Sequence, residues 1–317
     1  MHNSGPRPTG PGLNITPQDK SLGLASALGA FSLWGCLPVY WKQLIFIDPL
    51  LILLHRIVWS FVFLAAVLLK SGSLLSTLAL LKNKRHALII ALRSLLLTVN
   101  WGLFIWAVNN NHLVESSLGY FLNPLLSTLI GVVFFHERPD FLQKFAVFLA
   151  LTGVSIQIIM FGSVPVVALS LASIFAAYGA IRKKDTLPAV PGLFLETVLI
   201  CPPAAAALVL FALTGEIGFE RGLPTIFLII CSGPLTSIPL LLFAYSTLRL
   251  NLTTIGLAQY ISPTLSLLLG VWVYGEAISR GHMVSFVFIW AALALYSFES
   301  LRLYKNATKL LRQPGQK

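Results

Sequence analysis

The stretch SLGYFLNPLLSTLIGVVFFHE occupies residues 117–137, and a related stretch, IGLAQYISPTLSLLLGVWVYGE, occupies residues 255–276. Four pairs of identical residues share one offset of 139 positions: Pro124 and Pro263, Ser127 and Ser266, Gly131 and Gly270, Glu137 and Glu276. Each copy is an apolar run long enough to cross a bilayer. The chain is therefore predicted to contain the same membrane-spanning unit twice.

The polar residues of each copy recur at helical spacing and share one face, which lipid would not solvate. A proline near the start of each copy leaves backbone carbonyls without their helical partners. Such carbonyls are tolerated at membrane depth where protein or a wet cavity satisfies them. We therefore predict helix breaks at Pro124 and Pro263. The candidates for lining a cavity, with hydrogen bonding between helices as the alternative, are Tyr120, Asn123, Gln259 and Tyr260.

The composition is that of a membrane protein. The 317 residues are 56% hydrophobic and 10% charged, with a mean hydropathy of +0.83. A soluble chain of this length could not bury so much apolar surface. The net charge of +11 would suggest nucleic-acid binding in a soluble protein, but here the basic residues lie between apolar runs and indicate membrane topology. Cys36, Cys201 and Cys231 lie inside apolar runs, so we predict packing roles for them and no metal or cofactor site.

The apolar runs predict an all-α chain with ten transmembrane helices, since one helix needs about 20 residues to cross the hydrocarbon. The predicted spans are 22–41, 48–69, 86–108, 113–135, 139–161, 164–181, 189–211, 223–246, 252–274 and 281–302. Asp48, Asp140 and Ser279 are predicted to cap the second, fifth and tenth spans. Residues 70–85 are predicted to be only a basic tether. Residues 1–21 and 304–317 are expected to be poorly ordered tails. No cleaved signal peptide is expected at the N-terminus.

The distribution of Lys and Arg predicts the orientation of the chain. With a cytoplasmic N-terminus, 17 of the 22 Lys and Arg residues lie on the cytoplasmic side and three lie outside, so both termini are predicted to be cytoplasmic. Five spans in each half is an odd number, so residues 162–303 would cross the membrane in the opposite sense to residues 22–161. This predicts two inverted five-helix repeats, an architecture of secondary transporters with a site between the halves. A weaker echo links Phe31, Trp34 and Gly35 to Phe175, Tyr178 and Gly179.

Four segments, taken together, resemble one known family. They are HRIVWS at 55–60, SLGYFLNPLLS at 117–127, WGCLPVYWK at 34–42 and YGAIRKK at 178–184. The chain resembles the RarD-type proteins of the EamA group, within the drug/metabolite transporter superfamily, over about residues 22–302. The resemblance implies ten helices in two EamA-type halves, a bacterial inner membrane, and movement of small solutes, often outward. The family carries a name linked to chloramphenicol sensitivity, which does not fix a physiological substrate.

Four ionisable residues lie well inside predicted spans and are the charged or titratable candidates, since a charge there costs about 2.5–3.5 kcal/mol on insertion scales. Arg56 could anchor an anionic or carboxylate group of a solute, or pair with Glu196. Glu196 could bind and release a proton and so couple transport to a gradient, or form a static pair with Arg56 or Arg93. Arg93 could line the cavity or extend to the cytoplasmic headgroups. His55 could relay protons or be a neutral core residue.

The remaining candidates are polar or aromatic. Asn100, Trp34 and Tyr178 could contact the solute, with interhelical hydrogen bonding or aromatic packing as the alternatives. Glu137 and Glu276 lie at span ends and are predicted to anchor the adjoining turns.

The sequence contains no HExxH, GxSxG, Walker A or GxGxxG motif, so it does not indicate an enzyme. Without a nucleotide-binding loop, uphill transport would have to use a gradient. We predict a secondary transporter that exports small organic metabolites or drugs by alternating access, with the lipid bilayer and a small solute as its partners. The alternatives are a facilitative uniporter or channel-like carrier, and an intramembrane enzyme or scaffold. The sequence leaves the solute, the coupling ion and the oligomeric state open.

Overall fold

The computed structural model describes residues 16–109, 113–162, 165–185, 187–213, 215, 217–219, 221–275, 283–284, 287–288, 290–292 and 294–295. Regular secondary structure in these residues is helical, and none of them belongs to a strand. Eight helices among them are long and apolar enough to cross a membrane, and Gly119–Phe135 is a shorter apolar helix. The prediction of an all-helical, polytopic membrane protein is confirmed.

The helices follow the predicted spans closely. They are α1 (Pro17–Trp41), α2 (Pro49–Lys70), α3 (Leu74–Ala79), α4 (Lys84–Asn109), α5 (Leu113–Phe135), α6 (Phe141–Phe161), α7 (Val166–Lys184), α8 (Ala189–Leu213), α9 (Leu223–Thr247), α10 (Leu252–Gln259) and α11 (Ile261–Trp272). Single 3₁₀ turns occupy Lys42–Leu44 and Leu80–Lys82. Together α10 and α11 correspond to the ninth predicted span. Most of the tenth, 281–302, lies outside the described residues.

The start of α1 differs from the prediction. The helix begins at Pro17, inside the segment expected to be a disordered tail of residues 1–21. Thr16 Oγ1 accepts a hydrogen bond from Asp19 N at 3.2 Å, and Asp19 Oδ2 accepts one from Thr16 N at 3.0 Å. This capping box satisfies two backbone donors that a helix start otherwise leaves unpaired, so the helix extends beyond its apolar run.

The other predicted caps that can be checked are confirmed. Asp48 Oδ1 accepts from Leu50 N at 2.7 Å at the start of α2. Asp140 Oδ1 accepts from Gln143 N at 2.8 Å at the start of α6. Ser279 lies outside the described residues.

The link between α2 and α4 is more ordered than predicted. Residues 70–85 contain α3 and a 3₁₀ turn rather than only a basic tether. Leu74 and Leu78 of this link pack against the buried cluster that includes Leu64 and Leu68 of α2. The apolar residues of the link thus have a core to cover, which accounts for the extra helical turns.

The two repeat prolines behave differently. Near Pro263 the predicted break is present, because α10 ends at Gln259 and α11 begins at Ile261. At Pro124 the prediction is wrong, since α5 continues through this residue to Phe135. A proline inside a helix loses one backbone hydrogen bond and can be absorbed without interruption when neighbouring segments pack around it.

The two copies of the repeat lie side by side and antiparallel. Glu137, just beyond the end of α5, contacts Leu252 at the start of α10, whereas Phe121 in the first half of α5 contacts Tyr260 at the end of α10. A Cβ added to Gly256 would lie 2.6 Å from the carbonyl oxygen of Pro124. Glycine therefore lets these two helices approach closely.

The remaining helices pack around this pair. Helix α5 also packs on α7, α2 packs on α8 and α9, α1 packs on α9 and α11, and α4 packs on α7 and α8. Most contacts thus join one of the helices α1, α2, α4 and α5 to one of the helices α7–α11.

Candidate functional site

The first candidate site lies where α2 and α9 cross. A Cβ on Gly233 of α9 would lie 2.3 Å from the backbone carbonyl carbon of Trp59 in α2. Ser60 Oγ donates to the Gly233 carbonyl oxygen at 3.1 Å, and both residues are buried. This close approach brings Arg56, one helical turn before Ser60, against Thr236, where Arg56 Nε donates to Oγ1 at 3.0 Å.

Arg56 lies close to two tryptophan rings. Its Cζ is 5.0 Å from the ring of Trp41 at the end of α1 and 5.0 Å from the ring of Trp101 in α4. Both distances are within the range of cation–π attraction. We call Arg56, Trp41, Trp101 and Thr236 the arginine site.

Two tyrosines complete the surroundings of the arginine site. Tyr40 and Tyr120 lie near Arg56. The hydroxyl of Tyr40 donates to the carbonyl oxygen of Leu228, which ties α1 to α9. Tyr120 is 52% exposed, and its ring contacts that of Phe104 at 6.5 Å between centroids. The arginine site is therefore formed by α1, α2, α4 and α9, with an accessible tyrosine from α5 beside it.

A second cluster of charged residues lies where α4, α7 and α8 meet. Arg93 Nε is 3.0 Å from Glu196 Oε1, and both side chains are fully buried. Arg93 Nη1 also donates to Asp185 Oδ2, which lies 3.9 Å from Arg182 Nη1. Tyr178 Oη donates to Glu196 Oε2 at 3.1 Å. We call these five residues the charge network.

The charge network shows which ion pairs Glu196 and Arg93 form in this conformation. Glu196 pairs with Arg93 and not with Arg56. Arg93 has no exposed side-chain surface, so it does not extend to lipid headgroups. Two basic and two acidic residues compensate each other, as a dry interior requires.

Local backbone geometry supports this network. Ser94 Oγ donates to the Glu196 carbonyl oxygen at 3.1 Å and so joins α4 to α8. Arg182 Nη2 donates to the Pro188 carbonyl oxygen at 3.1 Å. Gly192 of α8 leaves room for this guanidinium, because an added Cβ would lie 2.1 Å from Arg182 Nη1.

Glu137 holds the start of α10. Its carboxylate accepts hydrogen bonds from Leu252 N at 2.7 Å, Thr253 N at 3.0 Å and Thr253 Oγ1 at 2.8 Å. Lys183 Nζ lies 3.6 Å from Glu137 Oε1. Glu137 therefore caps a helix 115 residues further along the chain, rather than anchoring only the turn that follows α5. Glu276 lies outside the described residues.

Two of the four polar candidates on the repeat helices, Gln259 and Tyr260, bond to a neighbouring helix. Gln259 Nε2 donates to Ser127 Oγ at 3.4 Å, and Tyr260 Oη donates to the Phe121 carbonyl oxygen at 3.2 Å. Gln259 is 4% exposed and Tyr260 is fully buried. Asn123 is partly buried, and its Oδ1 accepts no hydrogen bond from the described residues.

Three other candidates also lie away from the arginine site. Asn100 Nδ2 donates to the Leu171 carbonyl oxygen at 2.9 Å and so joins α4 to α7. Trp34 belongs to an aromatic cluster with Phe175, Tyr178 and Phe243. His55 is 3% exposed, and its Nε2 lies 2.9 Å from the carbonyl oxygen of Ile217. Structural contacts thus occupy Asn100, Trp34 and His55 in this conformation.

Sequence reasoning missed several members of both clusters. Neither Arg182 nor Asp185 is singled out in the sequence. The opposite charges at positions 182 and 185 were a usable signal, since residues three apart share a helix face. Trp41 and Thr236 carried no such signal, because only the packing of α1 and α9 brings them to Arg56.

The residues that the structure describes contain no group of three or more His, Cys, Asp or Glu arranged to hold a metal ion. The charged groups instead occupy the crossings of apolar helices. A bundle of this kind, with charged residues paired at the crossings of apolar helices, belongs to the class of multi-pass membrane proteins.

Comparison with known proteins identifies the family. Residues 21–159 match the EamA-like transporter family. An uncharacterized transporter of Vibrio cholerae is 42% identical over 291 residues, which cover 91% of this chain and 96% of the relative. Protein RarD of Salmonella typhi is 42% identical over 283 residues, covering 88% of this chain and 95% of the relative. The chain belongs to the EamA-like transporter family as a RarD-type protein.

The fold also matches a solved crystal structure. The two chains superpose with a TM-score of 0.67 over 89% of this chain and 99% of the other. Their sequences are 19% identical, so the likeness shows the fold alone.

Proposed function

We propose that the protein is a secondary transporter that exports small organic metabolites or drugs across the bacterial inner membrane by alternating access. The proposal is carried by the packing of helices α1, α2, α4 and α5 against helices α7–α11 around the arginine site and the charge network. Membership of a transporter family supports it, and the paired helices provide two bodies that can move against each other.

The proposal divides the chain into two inverted five-helix halves, residues 22–161 and 162–303. The helix contacts support this division. Exchanging α1 with α7, α2 with α8, α4 with α9, and α5 with α10 and α11 maps the observed pairs onto one another. For example, this exchange converts the contact of α5 with α7 into the contact of α10 and α11 with α1. It also converts the contact of α2 with α9 into the contact of α8 with α4. Such a pattern is expected of a pseudo-two-fold axis in the membrane plane.

The charge network would act as a gate at one end of the bundle. Arg93 belongs to the first half, and Glu196, Asp185 and Arg182 belong to the second, so their ion pairs hold the halves together. With both termini cytoplasmic, as the Lys and Arg distribution predicts, this end faces the cytoplasm. A solute entering from the cytoplasm would require these contacts to separate. Proton binding at Glu196 would weaken its attraction to Arg93 and so couple opening to a proton gradient.

Flux through purified protein in liposomes tests the proposal. Labelled amino acids, nucleobases and amphenicol drugs would be supplied with and without a proton gradient. We expect gradient-driven accumulation of at least one class, and Glu196→Gln should abolish its dependence on the gradient. Lys84→Gln, which removes an exposed charge from the same end, is the matched control.

The outcomes separate the possible mechanisms. Flux that only equilibrates the solute would replace the secondary transporter with a facilitative carrier. Gradient dependence that survives in Glu196→Gln would remove this residue from coupling. Folded protein that moves none of the solutes, while turning one of them over, would favour an intramembrane enzyme.

A further inference from the structure

We propose that the arginine site binds an organic monoanion with a flat apolar body, such as an aromatic carboxylate, with the anionic oxygens on Arg56. This inference rests on the proposed transport function and narrows its substrate class. It is carried by the charge and the aromatic surroundings of Arg56.

The charge of Arg56 has no acidic partner in the part of the chain that the structure describes. Among the described residues, no Asp or Glu lies within ion-pair distance of its guanidinium. By contrast, Arg93 and Arg182 each contact a carboxylate. A cation inside a membrane protein is normally compensated, so the arginine site lacks one negative charge that a ligand can supply.

The guanidinium also has free donors. Nε is used by Thr236, but Nη1 and Nη2 donate to none of the described residues. A guanidinium presents these donors in a plane that fits the two oxygens of a carboxylate. Thr236 holds Nε and thereby fixes the direction of the fork.

The rings of Trp41 and Trp101 indicate the shape of the rest of the ligand. Each ring lies 5.0 Å from Cζ, so both are close to the guanidinium on which an anion would bind. Tyr120, which is 52% exposed, adds a third accessible ring nearby. Aromatic faces stack on flat apolar groups and offer little to a small, strongly hydrated anion.

The same surroundings argue against cations and zwitterions. A ligand ammonium group at this place would be repelled by the positive charge of Arg56, and no described carboxylate pairs with Arg56 to offset that repulsion. Glu196 and Asp185 are already paired with Arg93. The site should therefore prefer benzoate to phenylalanine, although both carry a carboxylate and a ring.

Binding of radiolabelled benzoate to the purified protein in neutral detergent tests this inference. Competitors would be benzamide, acetate, phenylalanine and benzylamine, and an anionic phospholipid would be added separately. We expect saturable binding that benzamide and benzylamine do not displace. Arg56→Gln should weaken binding at least about tenfold, and Arg56→Lys should lie between it and the wild type, since lysine keeps the charge but not the fork.

Arg221→Gln is the matched control. Arg221 is exposed and stacks on Phe46 with Cζ 4.0 Å from the ring, so the variant removes the same charge outside the arginine site. Its benzoate affinity should equal that of the wild type. Trp101→Leu should weaken benzoate more than acetate, because only benzoate contacts the ring.

Several results would overturn the inference. One is that benzamide competes with labelled benzoate as well as unlabelled benzoate does, or that phenylalanine or benzylamine competes better. Another is that phospholipid displaces the labelled benzoate and acetate does not. A third is that Arg221→Gln and Arg56→Gln lose the same benzoate affinity. The inference and the proposed function fail separately. Transport of a neutral solute without benzoate binding overturns the site and leaves transport standing, whereas benzoate binding without flux supports the site and counts against transport.

Discussion

Arg93→Gln should destabilise the protein more than any other single change in the charge network. Arg93 lies 3.0 Å from Glu196 and also contacts Asp185, with side chains 0%, 0% and 4% exposed. Removing it leaves Glu196 without an ion-pair partner in the described chain. Breaking a buried pair from one side costs about 3–5 kcal/mol, or roughly two to three and a half powers of ten in the unfolding equilibrium constant.

Glu196→Gln should cost less, about 1–3 kcal/mol, because Arg93 keeps Asp185 and the amide can still accept from Tyr178. The loss of stability in the double variant Arg93→Gln/Glu196→Gln should be smaller than the sum of the two single losses by about 0.5–3 kcal/mol, since no unpaired Glu196 charge is left. This order reflects the number of charges that each change leaves uncompensated.

Reversible unfolding in mixed micelles, with rising fractions of a denaturing detergent, measures these differences. Lys84→Gln is the control, because it removes an exposed charge from the start of the same helix. Two results would refute the description of the charge network as a compensated buried unit. One is that both single variants lose the same free energy of unfolding, and the other is that the double variant loses the sum of the two.

The remaining predictions concern helix contacts. Glu137→Gln should lower the free energy of unfolding by about 1–3 kcal/mol, since three charge-assisted hydrogen bonds to α10 and the Lys183 contact weaken together. Amide hydrogen exchange that becomes faster in α5 but not in α10 would contradict this. Gly233→Ala should separate α2 from α9, lower the unfolding midpoint and weaken benzoate binding, whereas Gly102→Ala, whose Cβ meets nothing within 4 Å, should do neither. Gly192→Ala should displace Arg182, and a wild-type melting curve for that variant would show that the helices adjust freely.

The spanning helices could be predicted from the sequence because runs of about 20 apolar residues have few alternatives in a bilayer. Predicted and observed bounds agree closely for α2, α5 and α8. The exceptions are local effects that hydropathy does not register. The start of α1 depends on the hydrogen bonds between Thr16 and Asp19, and α5 continues through Pro124 because neighbouring helices pack around it.

The candidate sites could be predicted only in part. A charge inside a span must have a reason, so Arg56, Arg93 and Glu196 could be singled out from hydropathy alone. Their partners could not be chosen, because helical spacing says nothing about which helices cross. The contact of Gly233 with Trp59 decides that Arg56 meets Thr236, and residues more than 170 positions apart take part in it.

The carboxylate that caps α10 is synthesised long before the helix it serves. The backbone donors of Leu252 and Thr253 obtain their acceptor from a residue 115 and 116 positions earlier, so this helix start is completed only when the later segment inserts beside α5. A polypeptide divided between α6 and α7 would leave a lone carboxylate on one fragment and unpaired amides on the other. Produced together in one cell, the two fragments should rescue each other from proteolysis, and produced singly they should be degraded.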